Sequence, residues 1–190
     1  MEQKFKDLIE VWQKKNISAF YCDNRKLAVD KILELIPKNA SIGLSGSVTL
    51  EELEIDKLLE ERGNKVFNQY KTGDREKSLQ IRRQGAQADV YLASANSFSQ
   101  NGELVFLSAM GNRTAGIAYA KNVIIVCGIN KLTPNLEMAL KRAKEYATPL
   151  NYKRLNWSAQ RPMCCQVLII ESEITADRLK VIIVGENLGF

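Results

Sequence analysis

Residues 41–52 read Ser-Ile-Gly-Leu-Ser-Gly-Ser-Val-Thr-Leu-Glu-Glu, and this stretch contains the pattern that decides the fold. An apolar run gives way to small polar residues, after which apolar positions return among acidic neighbours. This order is typical of a β-strand that ends in a short loop and enters a helix. We predict a strand over Ser41–Leu44 and a helix over Val48–Arg62, which ends at Gly63, a residue type that commonly caps helices.

The alternation of strands and helices continues along the chain. Further strands are predicted at Ile17–Cys22, Val66–Phe67, Asp89–Ala95, Glu103–Ser108, Val123–Cys127, Val167–Ile170 and Leu179–Val184. Further helices are predicted at residues 2–15, Leu27–Ile36, Asp74–Gly85 and Arg113–Ala120, and from Thr133-Pro134 to Tyr146. The Asn101-Gly102 pair predicts a tight turn that joins Asp89–Ala95 to Glu103–Ser108 as a hairpin.

Continuous apolar strands separated by helices are typical of a sheet that is buried on both faces. We therefore predict a single α/β domain over residues 1–190. Its fold class is a layered, mostly parallel open sheet flanked by helices, with antiparallel hairpin additions. The helix over residues 2–15 could lie at the periphery of this domain.

The composition excludes several classes of catalytic and binding site. The 190 residues include no histidine, so a Ser-His-Asp triad, a Cys-His pair and histidine metal ligands are excluded. No apolar run approaches the length of a membrane span and the N-terminus does not resemble a signal peptide, so we expect a cytoplasmic protein that does not bind membranes. The net charge is +5, but the basic residues are scattered. A small phosphate or carboxylate ligand therefore fits better than nucleic acid.

The loop that follows the strand over Ser41–Leu44 is the first candidate site. Backbone N–H groups at the start of a helix can hold a phosphate or a carboxylate, and hydroxyl groups add donors. A purely structural alternative stays open, in which Ser47 or Thr49 caps the helix together with Glu51 or Glu52. The residues predicted here to bind an anion are Gly43, Ser45, Gly46, Ser47 and Thr49.

The ends of later strands provide a second candidate wall, because open α/β sheets bind ligands at the carboxyl ends of their strands. Arg113 could offer a two-pronged contact to an oxyanion, although it could equally lie on a solvated face. The residues predicted for this wall are Asn96, Gly111, Asn112, Arg113, Asn130 and Lys131. Glu103 is the candidate base or nucleophile if the protein is an enzyme, or else an inert residue of the turn.

The four cysteines are Cys22, Cys127, Cys164 and Cys165. We expect the first two to be buried in the core. Adjacent cysteines point to opposite sides of a strand and chelate metal poorly, so packing is also favoured for Cys164-Cys165, with no metal site. A reactive thiolate there would need a nearby cation, which Arg161 could supply.

Seven motifs follow one another in order from about residue 40 to the C-terminus. They are GSVTLEE (46–52), ADVYLASAN (88–96), NGELV (101–105), GNR (111–113), VCGINK (126–131), PLNYKRL (149–155) and VGENLGF (184–190). As a set they resemble the LUD (lactate utilisation) domain family. The resemblance implies a fold like that of the superfamily of glucosamine-phosphate isomerases, ribose-phosphate isomerases and CoA-transferases. It also implies a link to bacterial lactate oxidation, in which the domain accompanies iron–sulfur proteins.

Three functions follow as expectations. The first is an accessory component of lactate or organic-acid oxidation that binds a small anionic metabolite and works with an iron–sulfur or other redox partner. The second is a free-standing sugar-phosphate isomerase or CoA-transferase-like enzyme that uses a carboxylate. The third is a regulatory module that binds a metabolite. No cofactor is assigned from the sequence.

Overall fold

A computed structural model describes residues 1–157 and 162–190 of the protein. The helices are α1 (Gln3–Lys14), α2 (Arg25–Leu35), α3 (Val48–Glu52), α4 (Ile55–Glu61), α5 (Arg75–Gly85), α6 (Asn112–Tyr119), α7 (Leu136–Lys141) and α8 (Thr148–Arg154). The strands are β1 (Ser18–Cys22), β2 (Ser41–Leu44), β3 (Lys65–Phe67), β4 (Val90–Ala93), β5 (Ser97–Ser99), β6 (Leu104–Ser108), β7 (Val123–Gly128), β8 (Leu132–Thr133), β9 (Gln166–Ile170) and β10 (Leu179–Val184).

Six strands form a parallel sheet in the order β1-β10-β7-β4-β2-β3. Its central strands β4 and β7 are buried along their whole length, as expected for a sheet covered on both faces. The prediction of a mostly parallel, layered α/β fold is therefore confirmed. Because the six strands are parallel, all of them end at the same edge of the sheet, which is where parallel α/β sheets bind ligands.

A second sheet of four strands has the order β8-β5-β6-β9 and contains antiparallel pairs. The Asn101-Gly102 turn joins β5 to β6. A hairpin therefore forms at the predicted turn, but its first strand is not the expected Asp89–Ala95. The chain leaves the parallel sheet after Ala93, and the arm that pairs with β6 is Ser97–Ser99. These three residues lack the apolar run by which a strand is recognised in a sequence.

Side-chain alternation along the parallel strands divides the core into two apolar clusters. On β7, Ile125 and Cys127 face the second sheet, whereas Ile124 and Val126 face α2, α3 and α4. Alternate residues of a strand point to opposite faces, so one continuous apolar run supplies both clusters. A third, smaller cluster lies between β6 and the helix that follows β8.

Helix α1 belongs to the core and does not lie at the periphery. Its residues Phe5, Leu8 and Trp12 pack into the cluster between the two sheets. Trp12 is fully buried, and its indole Nε1 donates a hydrogen bond of 2.8 Å to the carbonyl oxygen of Gly102. The helix therefore closes the end of the β5–β6 hairpin.

The structure divides the helix predicted over Val48–Arg62 into α3 and α4. Glu54 interrupts it with a φ of 49°, in the left-handed region. The turn lets both short helices bury apolar residues, Leu50 in α3 and Ile55 and Leu59 in α4, against the same face of the sheet. Packing has overridden the local preference for a continuous helix.

The helix predicted from Thr133-Pro134 to Tyr146 is shifted toward the C-terminus. Thr133 belongs to β8 and pairs with Ser99, while the Asn135 side chain caps α7 by accepting from the Met138 amide. A π-helical segment, Arg142–Ala147, connects α7 to α8. Across both described ranges, no helix is long and apolar enough to cross a bilayer.

Candidate functional site

A cavity of about 150 Å³ opens at the carboxyl ends of β2, β4 and β7. The loops that follow these strands line one side, and α6 and α8 contribute the other. This is the edge at which parallel α/β sheets place ligands. Of the residues predicted to bind an anion, the cavity is lined by Ser45, Gly46, Ser47, Thr49, Asn96, Asn112, Arg113 and Lys131.

The loop between β2 and α3 presents its backbone to the cavity. Gly46 has a φ of 69°, and a Cβ atom there would lie 2.4 Å from the ring of Tyr70, so the turn requires glycine. The Ser47 side chain makes no capping hydrogen bond to α3. Within the described part of the chain, no acceptor bonds the amides of residues 46–49. Helix capping therefore leaves these backbone N–H groups available to a ligand.

Ser45 adds a buried hydroxyl group to the same wall. Its side chain is 6% exposed, and its Oγ has no hydrogen-bond partner among residues 1–157 and 162–190. The Ser45 amide, in contrast, donates to the carbonyl oxygen of Leu92 at 3.2 Å. A buried hydroxyl without a partner costs about 1–3 kcal/mol, so this group is one that a bound ligand would satisfy.

Arg113 connects three of the structural elements around the cavity. Its Nη1 donates to Asn96 Oδ1 at 2.9 Å and to the Leu107 carbonyl at 3.1 Å, and its Nη2 donates to the Gly46 carbonyl at 3.0 Å. Burial lowers the pKa of the guanidinium, which nonetheless stays charged. These contacts use three of its five N–H donors, which leaves two for a ligand. The solvated-face alternative for Arg113 is excluded.

Lys131 lies at the end of β7 and is only 3% exposed. Its Nζ donates to Thr49 Oγ1 at 2.8 Å, to Ser94 Oγ at 2.9 Å and to the Ala95 carbonyl at 3.2 Å. Burial lowers the pKa of this amine to about 8. The ammonium therefore has hydrogen-bond partners, but among residues 1–157 and 162–190 no carboxylate forms an ion pair with it.

The charged side chains that line the described part of the cavity all have the same sign. Four cationic side chains line it, Arg82, Arg113, Lys131 and Arg154, and the described lining includes no Asp or Glu. Arg154 is partly neutralised by Glu51 at 3.2 Å, and the Arg82 guanidinium lies over the Tyr70 ring. Arg113 and Lys131 form no ion pair within residues 1–157 and 162–190, and together with the open amides they give the cavity a positive potential that favours a small anion.

Four of the predicted site residues do not line this cavity. Gly43 instead allows close packing, because a Cβ there would lie 1.9 Å from the carbonyl oxygen of Gly85. Gly111 is the N-cap of α6, with a φ of 84°. Asn130 bonds the C-terminal segment, accepting from the Leu188 amide at 3.1 Å and donating to the Gly189 carbonyl.

Glu103 also lies away from the cavity, in the turn of the β5–β6 hairpin. Its carboxylate accepts a hydrogen bond from the Ser99 hydroxyl, and the neighbouring Gly102 carbonyl is bound by Trp12. This is the structural role that the sequence left open as the alternative to a catalytic one. Glu103 is thus not positioned to act on a molecule bound in the cavity.

The cysteines divide into two pairs. Cys22 and Cys127 are buried in the core, as predicted. Cys165 is exposed, so core packing does not account for it. Cys164 is half-buried and packs against the third apolar cluster, and it also lines the cavity, with its Sγ 2.8 Å from Thr148 Oγ1. Arg161 lies outside the described residues. Within those residues, no group of three Cys, Asp or Glu could hold a metal ion.

Sequence reasoning missed several residues of the site. Ser94, which contacts Lys131, lies in the motif over residues 88–96 but is not among the predicted ligand residues. Tyr70 and Arg82 come from the segment that follows β3, and Asn151 and Trp157 come from the end of α8 and the turn beyond it. Ser94 could have been found, because it lies at the carboxyl end of the predicted strand Asp89–Ala95. No local pattern identifies the others, because they reach the cavity only through the tertiary fold.

Comparisons with known proteins agree with this architecture. A crystal structure of a DUF162 family protein from Deinococcus radiodurans matches with a TM-score of 0.57 and 13% identity, over 96% of this chain and 94% of that chain. At this identity the likeness shows a shared fold alone. No curated protein matches the sequence. A model of the LUD domain family, however, matches residues 5–184. Because that match covers nearly the whole chain, the protein belongs to the LUD domain family.

Proposed function

We propose that the protein binds a small carboxylate or phosphate in the cavity at the carboxyl ends of β2, β4 and β7. One observation carries this proposal: Lys131 and Arg113 line the cavity, and neither has a carboxylate partner in the described structure. A buried cation is costly unless an anion compensates it. The open amides of residues 46–49 and the Ser45 hydroxyl supply neutral donors for the same anion.

In the cell, we place this binding activity in lactate or organic-acid oxidation, which is the process that gives the LUD family its name. The protein would act as an accessory component that holds an anionic metabolite while an iron–sulfur or other redox partner transfers electrons. The proposal places it in the cytoplasm, where free thiols such as those of Cys22 and Cys127 stay reduced. A regulatory metabolite-binding module would use the same cavity, but its ligand would change affinity for a partner.

The carboxylate-dependent isomerase or transferase is less favoured, because Glu103 lies outside the cavity. If such an enzyme activity existed, E103Q would abolish turnover of a sugar phosphate or an acyl-CoA. We expect no such turnover from the purified protein.

Isothermal titration calorimetry tests the binding directly. We expect lactate, pyruvate or inorganic phosphate to bind the wild-type protein, and K131M to weaken that binding at least tenfold because it removes one buried charge. The matched control is K153M, which removes the same charge from an exposed lysine outside the cavity. The proposal fails if none of the three anions binds, or if K131M and K153M weaken binding equally.

A further inference from the structure

We propose that Lys131 is a nucleophile that forms a reversible imine with a short 2-oxo acid held in the cavity. This inference rests on the proposed function, because the anion site holds the carboxylate of the same ligand. It goes further by naming a reacting atom, Lys131 Nζ, and a substrate class, carbonyl compounds that carry a carboxylate.

The surroundings of Lys131 suit an amine that changes its protonation state. Two of its three acceptors are the hydroxyl groups of Thr49 and Ser94, and these hydroxyls are 3.2 Å apart. A hydroxyl can donate as well as accept, so either one can donate to the lone pair of a neutral amine. The Ala95 carbonyl can only accept and keeps one N–H in place. The network therefore accommodates both ammonium and amine.

Burial and neighbouring cations increase the fraction of Lys131 that is a neutral amine, which is the nucleophilic form. Burial is the main cause of the lowered pKa, and the positive charges of Arg142 and Arg113 lower it further. A desolvated lysine near other cations is the arrangement that activates amines for attack on carbonyl groups. Near neutral pH, a substantial minority of Lys131 would be unprotonated, whereas an exposed lysine is almost fully protonated.

The volume of the cavity suits a small partner. An engineered cavity of similar volume, about 150 Å³, accommodates benzene, a molecule of about six non-hydrogen atoms. A three-carbon 2-oxo acid has the same number of such atoms. Its carboxylate would bind the amides of residues 46–49 and Arg113, and its carbonyl carbon would face Lys131.

The proposed step balances without an oxidant or a reductant. The neutral Nζ attacks the carbonyl carbon, forming a C–N bond and a carbinolamine. The two protons of the nitrogen pass through the hydroxyls of Ser94 and Thr49 to the carbinolamine oxygen, the C–O bond breaks, and that oxygen leaves as water while the C=N bond forms. One imine and one water molecule are formed from one amine and one carbonyl group. Hydrolysis reverses the step and releases the oxo acid.

Borohydride trapping tests the proposal. The full chain is mixed with pyruvate and sodium borohydride, which reduces an imine to a stable secondary amine, and is analysed by intact mass and peptide mapping. We expect one pyruvate-derived adduct per chain, on Lys131, in a yield that increases several-fold between pH 7 and pH 9. The adduct should be lost in K131R and kept in K153M.

Lactate allows the imine proposal to be tested separately from the anion site, because it carries a carboxylate but no ketone carbonyl group. We expect excess lactate to reduce adduct formation by competing for the site. If pyruvate and lactate bind by calorimetry but no adduct forms on Lys131, the imine proposal is overturned and the anion site stands. Adducts spread evenly over the lysines in the peptide map of the wild-type protein would also overturn it. If neither compound binds, both proposals fail.

Discussion

At the scale of single residues, the environment of Lys131 is the feature with the clearest consequence for stability. Burial lowers its pKa from the ordinary value of 10.5 to about 8. The charges of Arg142 and Arg113 act in the same direction, while Cys127 and Glu52 oppose them. Between these two pH values the unfolded chain binds more protons than the folded chain, so the free energy of unfolding rises with pH. Folding thus opposes the charged form of the lysine.

We therefore expect the free energy of unfolding of K131M to lack the increase with pH that Lys131 gives the wild type. As the pH rises from 8 to 10.5, the free energy of unfolding of the wild type should increase relative to K131M by up to about 3 kcal/mol. Denaturant unfolding of both proteins across this range measures the difference, and the other titrating groups cancel between them. A difference that does not change with pH would show that the pKa of Lys131 is not lowered.

Gly43 is a residue whose role is packing, because β2 and α5 approach each other closely there. G43A places a methyl group against the backbone of Gly85, which cannot move as a flexible side chain can. We expect a loss of at least about 2 kcal/mol in the free energy of unfolding. G73A is the matched control, since a Cβ at Gly73 meets no atom within 4 Å. Equal stability of the two variants would contradict the close approach.

At the scale of elements, two features give testable predictions: helix α1 and the break between α3 and α4. Because Trp12 is fully buried and bonds the Gly102 carbonyl, α1 should contribute to global stability. We expect W12A to lower the free energy of unfolding by about 3–5 kcal/mol. Q13A, at the neighbouring exposed position, should change it by less than about 0.5 kcal/mol. A mild effect of W12A would mean that α1 packs loosely.

Glu54 has a left-handed backbone conformation, and here we predict a substitution that increases stability. Glycine adopts this conformation without a steric penalty, so E54G should raise the midpoint of thermal unfolding by a few degrees. The same substitution inside α1, E10G, should lower the midpoint, because glycine weakens a helix interior. Differential scanning calorimetry of both variants checks the pair. If E54G also lowered the midpoint, a continuous helix through residue 54 would be the better description.

The elements also show what the sequence can and cannot predict. Long apolar runs such as Val123–Cys127 identified the parallel strands, because burial on both faces leaves a strong local signal. Ser97–Ser99 was missed as a strand, since its polar side chains are satisfied by tertiary contacts, including a 2.7 Å hydrogen bond from Ser97 Oγ to the Ala139 carbonyl. The break at Glu54 was missed for a related reason, because packing rather than propensity produces it.

At the scale of the whole molecule, the parallel topology brings the ends of β2, β4 and β7 together. The half of the site that directly follows these strands could therefore be predicted, including Ser45 and Lys131. The other half, which includes Tyr70 and Arg82, comes from segments whose position depends on the complete fold. Glu103 lies outside the lining of this cavity, in the turn of the β5–β6 hairpin, and the position of that hairpin also depends on the complete fold.

The central claim is that this edge of the molecule holds a small anion, and the location of a bound anion tests it most directly. Crystals soaked in selenate, whose selenium scatters anomalously, would show where an oxyanion binds. We predict a strong anomalous peak in the cavity, within hydrogen-bond distance of the backbone amides of residues 46–49 and close to Arg113 and Lys131. Peaks confined to exposed lysines and arginines, with none in the cavity, would contradict the account.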